Sequence, residues 1–281
     1  MRRIANGFGL CLCIFVLAWG GSDVALGDKL AAAGRRLLAQ QGECVVNVEL
    51  VIETKMSMGG GVDMSEENKT EATATFLHPS GLAVVPLSDI DPMSLLNKIM
   101  GGDSHAGMSQ MKWDSQVKDI KLRLHDGREV PAEVVLRDRD LDLAFVRPNP
   151  PLESEVQFID FREGADPKLL DQLICLDRLG KVANWELGLS LCRLSCRVTK
   201  PRLLYVPSQL DNMGCPVFTD RGKIVGLVLL RSMGGGGASM AGMLGSMGGQ
   251  GNMGVLPVIL PAKDIAEVAD QALEVIKERE G

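Results

Sequence analysis

The sequence predicts an all-β protein built from two sets of six short antiparallel strands, with one short helix before them and one after. Three observations predict it. Period-two alternation of apolar and polar residues recurs in twelve short segments. A Pro-rich break, Pro148-Asn149-Pro150-Pro151, separates the sixth from the seventh. Helical periodicity is confined to the two ends. Alternation alone leaves open whether each set closes as a barrel or packs as a sandwich.

Taken in order, residues 28–41 place Leu30, Ala33, Leu37 and Leu38 on one helical stripe. After Gly42 the period drops to two: Val46, Val48, Leu50 and Ile52 alternate with Asn47, Glu49 and Glu53. This marks a half-buried strand over 44–54. Further strands are expected at 71–78, 82–86, 117–124, 129–136 and 142–147, with His125-Asp126-Gly127 as a turn. Beyond the Pro-rich break they are expected at 172–177, 189–198, 203–207, 216–219, 223–232 and 254–260, with Thr219-Asp220-Arg221-Gly222 as a hairpin turn. A closing helix at 262–279 carries Ile265, Val268, Ala269, Leu273 and Ile276 on its apolar face. Three Gly/Met-rich segments, Met56–Met64, Met100–Met111 and Met233–Met253, interrupt the pattern and read as flexible loops.

Composition bounds the class. The hydrophobic content is 46%, which suits a buried core, and aromatics are only 4%, so aliphatic side chains must fill it. The net charge is −6 without a basic run, which argues against nucleic acid as a partner. At the N-terminus, Met1-Arg2-Arg3, an apolar run from Phe8 to Trp19 and Ala25-Leu26-Gly27 before Asp28 read as a secretory signal over 1–27. The expected division is therefore 1–27, then 28–150 with the first six strands, then 151–281 with the second six. An exported, periplasmic or secreted protein follows, with membrane contact expected only through an uncleaved N-terminal segment. Cys44, Cys175, Cys192, Cys196 and Cys215 remain after cleavage. Cys192 and Cys196, four apart on a strand, are expected on one face about 13 Å apart, too far to bond each other. Small buried apolar residues are as good a reading of the five as a disulfide framework.

Several segments carry a resemblance. Asp211-Asn212-Met213-Gly214-Cys215-Pro216-Val217-Phe218, followed by Asp220-Arg221-Gly222-Lys223-Ile224-Val225-Gly226, resembles the nucleophile segment of the HtrA/Deg-type trypsin-like serine proteases. Asp138-Arg139-Asp140-Leu141-Asp142-Leu143-Ala144-Phe145-Val146 is similar to the segment with that family's catalytic Asp. Phe76 to Ser88 resembles the hairpin that ends at its catalytic His. Gly164 to Asp177 looks like the start of the family's second barrel, and Gly254-Val255-Leu256-Pro257-Val258 with the final helix looks like its closing strand and helix. The resemblance implies two six-stranded antiparallel barrels of the trypsin-like double-barrel kind. No PDZ domain, which many relatives carry, is expected after residue 281.

Carried over by position, the resemblance puts the family's Asp on Asp142, its His on Ser88, its Ser on Met213 and an oxyanion-hole Gly on Asp211. Peptide cleavage of this type needs a hydroxyl nucleophile, an imidazole that moves its proton and a carboxylate that orients the imidazole. A thioether at Met213 has no proton to give. A hydroxyl at Ser88 is too weakly basic to act as a base. A carboxylate at Asp211 opposes a developing oxyanion. Without an imidazole, Asp142 is expected to hydrogen-bond Ser88 or to cap nearby backbone. Of the other histidines, His78 and His125 sit in turns, and His105 lies in a Met/Gly segment.

The expectation is a non-catalytic, pseudoprotease-like module for a polypeptide partner. A peptide would add as a strand beside Leu229, Leu230 and Arg231, whose place resembles the family's substrate edge. One alternative is a divergent serine-type endopeptidase, with Cys215 or Ser208 as an unrecognised nucleophile. The other is Cu(I) or partner binding by the Met-rich segments, where Met56-Ser57-Met58 and Met100, His105, Met108 and Met111 hold soft ligands. No cofactor and no metal centre is otherwise expected.

Overall fold

The computed structural model describes residues 21–58, 62–92, 111–210, 212–232 and 255–281; side chains of 21–28, 56–58, 62–64, 111–114, 232 and 255 are not described. Twelve strands form two closed six-stranded antiparallel barrels, with a helix before and a helix after them. The helix α1 (Gly21–Gln41) continues through the predicted cleavage point at Gly27–Asp28. The first barrel comprises β1 (Val45–Met58), β2 (Val62–Phe76), β3 (Ala83–Pro86), β4 (Met111–Arg123), β5 (Glu129–Asp138) and β6 (Leu143–Pro148). Between β3 and β4 lies one helical turn, α2 (Leu87–Ile90). The second comprises β7 (Gln172–Arg178), β8 (Leu187–Val198), β9 (Leu204–Pro207), β10 (Pro216–Thr219), β11 (Ile224–Ser232) and β12 (Val255–Pro261), and α3 (Ala262–Glu280) closes the chain. The apolar run 8–19 and the segments 100–110 and 233–253 lie outside the described residues.

Both barrels have one strand order. Around the first it runs β1-β2-β3-β6-β5-β4; around the second, β7-β8-β9-β12-β11-β10. Alternation explains the filling. Val46, Val48, Leu50 and Ile52 point into the first barrel with Ala72, Ala74, Phe76, Val85, Leu122 and Val146. The second barrel is filled by Leu173, Cys175, Cys192, Leu194, Tyr205, Cys215, Val217 and Val228. A third core seals the two barrels and both helices together. It combines Leu82, Val84, Leu143 and Phe145 with Ile174, Leu176, Phe218 and Leu227, then Ala33 and Leu37 of α1 and Ile265, Val268 and Ala272 of α3. The far end of α3 returns to the first barrel, where Glu280 pairs with Arg147 and Arg279 donates to the Val135 carbonyl.

Several expectations need correction. The segment 56–64, read as a loop, is mostly strand, with β1 reaching Met58 and β2 starting at Val62. Likewise β4 starts at Met111. Cys192 and Cys196 do not share a face, because a β-bulge between Leu194 and Cys196 adds a residue and reverses the alternation. Cys192 is buried and Cys196 exposed. Cys44, Cys175, Cys192, Cys196 and Cys215 are all free thiols.

Candidate functional site

The end of β3 brings one half of the site to the seam where the barrels meet, beside Gly214 of the second barrel. Leu87 donates its N–H to the Asp142 carbonyl at 2.9 Å, which joins the start of α2 to the turn before β6. Asp142 adopts a left-handed conformation with φ 60°, which Asp tolerates better than most residues. That turn buries its carboxylate to 3% exposure. One carboxylate oxygen accepts the Ser88 N–H at 3.1 Å and the other accepts the Ser88 hydroxyl at 3.0 Å. Asp142 therefore both binds the Ser88 hydroxyl and caps the first turn of α2.

The described imidazoles are engaged elsewhere. His78 Nδ1 lies 2.9 Å from Ser80 Oγ, and burial lowers its pKa. His125 is exposed, with Nε2 3.8 Å from Glu43. Next to Ser88, Asp89 is half-buried, and its pKa is pushed up to about 7 by burial and then by the charge of Asp142. Two carboxyl groups thus share this end of the groove. His105 and Asp211 lie outside the described residues.

The other half of the site comes from the second barrel. Met213 is half-buried against that barrel's core. Gly214 follows at φ 74°, and a Cβ there would meet the Thr73 carbonyl oxygen at 2.5 Å and Pro86 Cδ at 3.0 Å. Only glycine fits this close approach. It sets the Met213 turn against the end of β3, two residues before Ser88. Arg231 joins the same region, because its guanidinium donates to the Asp140 carbonyl at 2.7 Å, just upstream of Asp142. Burial lowers the Arg231 pKa, and the Asp142 charge opposes that shift.

Sequence reasoning missed Asp177, at the end of β7 and only 7% exposed. Its carboxylate accepts from Asn212 Nδ2 at 2.6 Å, Cys215 Sγ at 3.0 Å and Thr73 Oγ1 at 3.2 Å. Asn212 and Cys215 flank Met213, and Thr73 belongs to the first barrel. One buried anion therefore pins the Met213 turn and ties the barrels. The adjacent Arg178 does the same, donating to the carbonyls of Val45, Gly42 and Trp185. No local spacing signals this node, since Thr73 lies 104 residues from Asp177.

This geometry bears on each candidate nucleophile. The Cys215 thiol is fully buried, and its pKa is raised by hydrogen bonding to Cys175 and by burial. A buried thiol held protonated is a poor nucleophile. Ser208 Oγ accepts the Arg193 N–H at 3.1 Å and sits at the end of β9, away from Asp142.

On β11, Leu229 is fully buried while Leu230 and Arg231 are half-buried. One edge pairs with β12 from Gly226 to Ser232. The other pairs with β10 only as far as Leu227, followed by the bonds Gly214 N–H to Val228 O and Val228 N–H to Cys215 O. Among the described residues, no strand pairs with that edge from Leu229 to Ser232.

The double barrel is compatible with a trypsin-like domain. Comparison of the chain with protein-family models and with curated proteins gives no match in either.

Proposed function

We propose that the chain is a non-catalytic relative of the trypsin-like serine proteases, of the HtrA/Deg kind, that binds an extended polypeptide in the groove between its barrels and is exported. The observation that carries this reading is the edge of β11 from Leu229 to Ser232, which no described strand pairs with and which Arg231 ties to the turn that holds Asp142. Such an edge offers backbone donors and acceptors to an incoming strand, which gives affinity without chemistry. Lack of turnover follows from the residues themselves. Asp142 is engaged by Ser88, and Met213 supplies no proton. Cys215 faces the core. Of the Met-rich segments, Met56–Met58 belongs to β1 and Met111 to β4, while Met100, His105, Met108 and the segment 233–253 lie outside the described residues.

Fluorescein-labelled unfolded casein tests the proposal. Expected is saturable binding by fluorescence anisotropy with no new fragments on a gel. Peptides N-methylated at alternate backbone positions should bind more weakly than their parents, since each methyl removes a strand hydrogen bond. Casein hydrolysis that stops on Cys215→Ala or Ser208→Ala substitution would instead establish a divergent peptidase.

A further inference from the structure

The outward face of the β7–β8 ribbon carries an unusual concentration of apolar side chains. Seven large hydrophobic residues are exposed among the described residues, and six of them, Leu169, Leu170, Leu179, Val182, Leu189 and Leu191, lie on this ribbon or at its ends. Isolated exposed leucines need no explanation, but a concentration on one element does. Strand alternation defines the face. Cys192 and Leu194 point into the barrel, so Leu187, Leu189, Leu191 and Arg193 point out. Leu189 is 39% exposed and Leu191 57%. Arg193 donates to the Leu170 carbonyl at 3.2 Å, which sets Leu169 and Leu170 beside the same face.

The helix α1 borders this face. A Cβ on Gly34 would lie 3.3 Å from Leu189 Cδ1, and one on Gly42 would lie 2.6 Å from Leu187 Cδ1. The exposed side of α1 carries Lys29, Arg35 and Arg36, and the ribbon adds Lys168 and Arg193. None of these five cations forms an ion pair among the described residues, whereas Arg123, Arg147, Arg162 and Arg197 all do. A chain of net charge −6 thus places five cations without an ion pair around one apolar face, with Asp171 beside Lys168; others, Lys69, Lys200 and Lys223 among them, lie elsewhere. The sequence that precedes α1 contains the apolar run Phe8–Trp19 with Arg2 and Arg3 ahead of it.

We propose that this face, Leu169, Leu170, Leu189 and Leu191 rimmed by Arg35, Arg36 and Arg193, rests on an anionic lipid surface. Apolar side chains between cations match the acyl boundary and headgroups of such a surface. A second copy of the chain fits less well. An isologous dimer through this face would bring the cationic rim of one copy against that of the other. The orientation has a consequence for the peptide groove: the ribbon would fix how far the groove stands from the bilayer.

Co-sedimentation of the full chain with vesicles of phosphatidylglycerol and phosphatidylcholine in equal parts tests the proposal, with pure phosphatidylcholine vesicles as the comparison. Expected is binding to the anionic vesicles that weakens with added salt. Leu169→Ser with Leu191→Ser should lower partitioning on the order of a hundredfold, given the free energy of burying two leucines. Arg35→Gln with Arg36→Gln should remove most of the salt dependence, and this pair of exposed changes guards against a folding artefact in the leucine variant. Circular dichroism confirms that both stay folded. Two results overturn the proposal. One is vesicle binding unchanged in both variants, which assigns the contact to Phe8–Trp19 alone. The other is no vesicle binding together with a dimer, seen by sedimentation velocity, that dissociates on Leu191→Ser substitution.

Discussion

The two barrels share one strand order but differ in what fills them and in what they bring to the groove. The first is packed almost wholly with aliphatic side chains: Val46, Val48, Leu50, Ile52, Val85, Leu122 and Val146. Its contribution to the groove is a hydrogen-bonded polar pair, Ser88 and Asp142. The second holds three thiols in its core, Cys175, Cys192 and Cys215, with Tyr205 and Met213. Its contribution is a thioether and a strand edge that no described strand pairs with. One topology can thus hold either a closed polar arrangement or an unpaired backbone edge at the same seam. The strand order fixes where residues meet, while side-chain chemistry decides what they do there.

The sharpest way to break the comparison is to set a crowded glycine of the second barrel against an open one of the first. Gly226 on β11 has no room, because a Cβ would lie 1.8 Å from the Leu260 carbonyl oxygen. Gly226→Ala should cost about 4 kcal/mol or more and unfold the second barrel. Gly127→Ala, in the β4–β5 turn of the first barrel at φ 85° with nothing within 4 Å, should cost only about 1 kcal/mol. Denaturant unfolding followed by limited proteolysis reads both. Similar losses at the two sites would overturn the crowding argument.

A smaller effect is expected at the node that joins the barrels. Asp177→Ala leaves Asn212, Thr73 and Cys215 without their shared acceptor. About 3 kcal/mol should be lost, and casein binding should weaken as the Met213 turn loosens. Thr73→Val removes one donor from the first-barrel side and should cost about 1 kcal/mol while leaving Asn212 and Cys215 bonded. Equal losses for the two substitutions would mean that Asp177 serves only the first barrel.

A separate contrast is a pH dependence that belongs to the first barrel. Asp89 titrates near 7 in the folded protein against 3.8 when unperturbed, through burial and the Asp142 charge. The folded state therefore holds this proton more tightly than the unfolded one. The contribution of Asp89 makes stability fall as pH rises from about 4 to 7 and stay level above that. Asp89→Asn should raise the melting temperature at pH 8 and flatten that slope. An unchanged slope would assign the titration to another group.

Much of the fold is legible in the sequence wherever one face of a strand is buried. The alternation over Val46 to Ile52 exists because those positions face a closed interior, and the stripe of Ile265, Val268 and Ile276 exists because α3 lies on the seam. It fails where strands run beyond the barrel. Ser65, Glu66, Glu67 and Asn68 of β2 are exposed on both faces, so no hydrophobic period marks them as strand. The bulge at Leu194–Cys196 is equally silent, since a single added residue leaves composition unchanged. Within the site, Ser88 and Asp142 could be placed by resemblance and their bond anticipated from chemistry. The Asp177 node could not, because its partners come from both barrels.

The overhang itself has a consequence. Before Thr75, β2 has β1 on one side and no described partner on the other; before Lys121, β4 likewise pairs only with β1. The result is a three-stranded ribbon with two bare margins, the shape that templates fibrils when chains stack edge to edge. What guards it is charge: Glu66, Glu67 and Lys69 on β2 and the Lys118 and Asp119 pairs with Glu53 and Lys121 line those margins, and a neighbour adding on would have to desolvate them. The protein's resistance to self-assembly should therefore rest on these few side chains and weaken as acid neutralises the carboxylates.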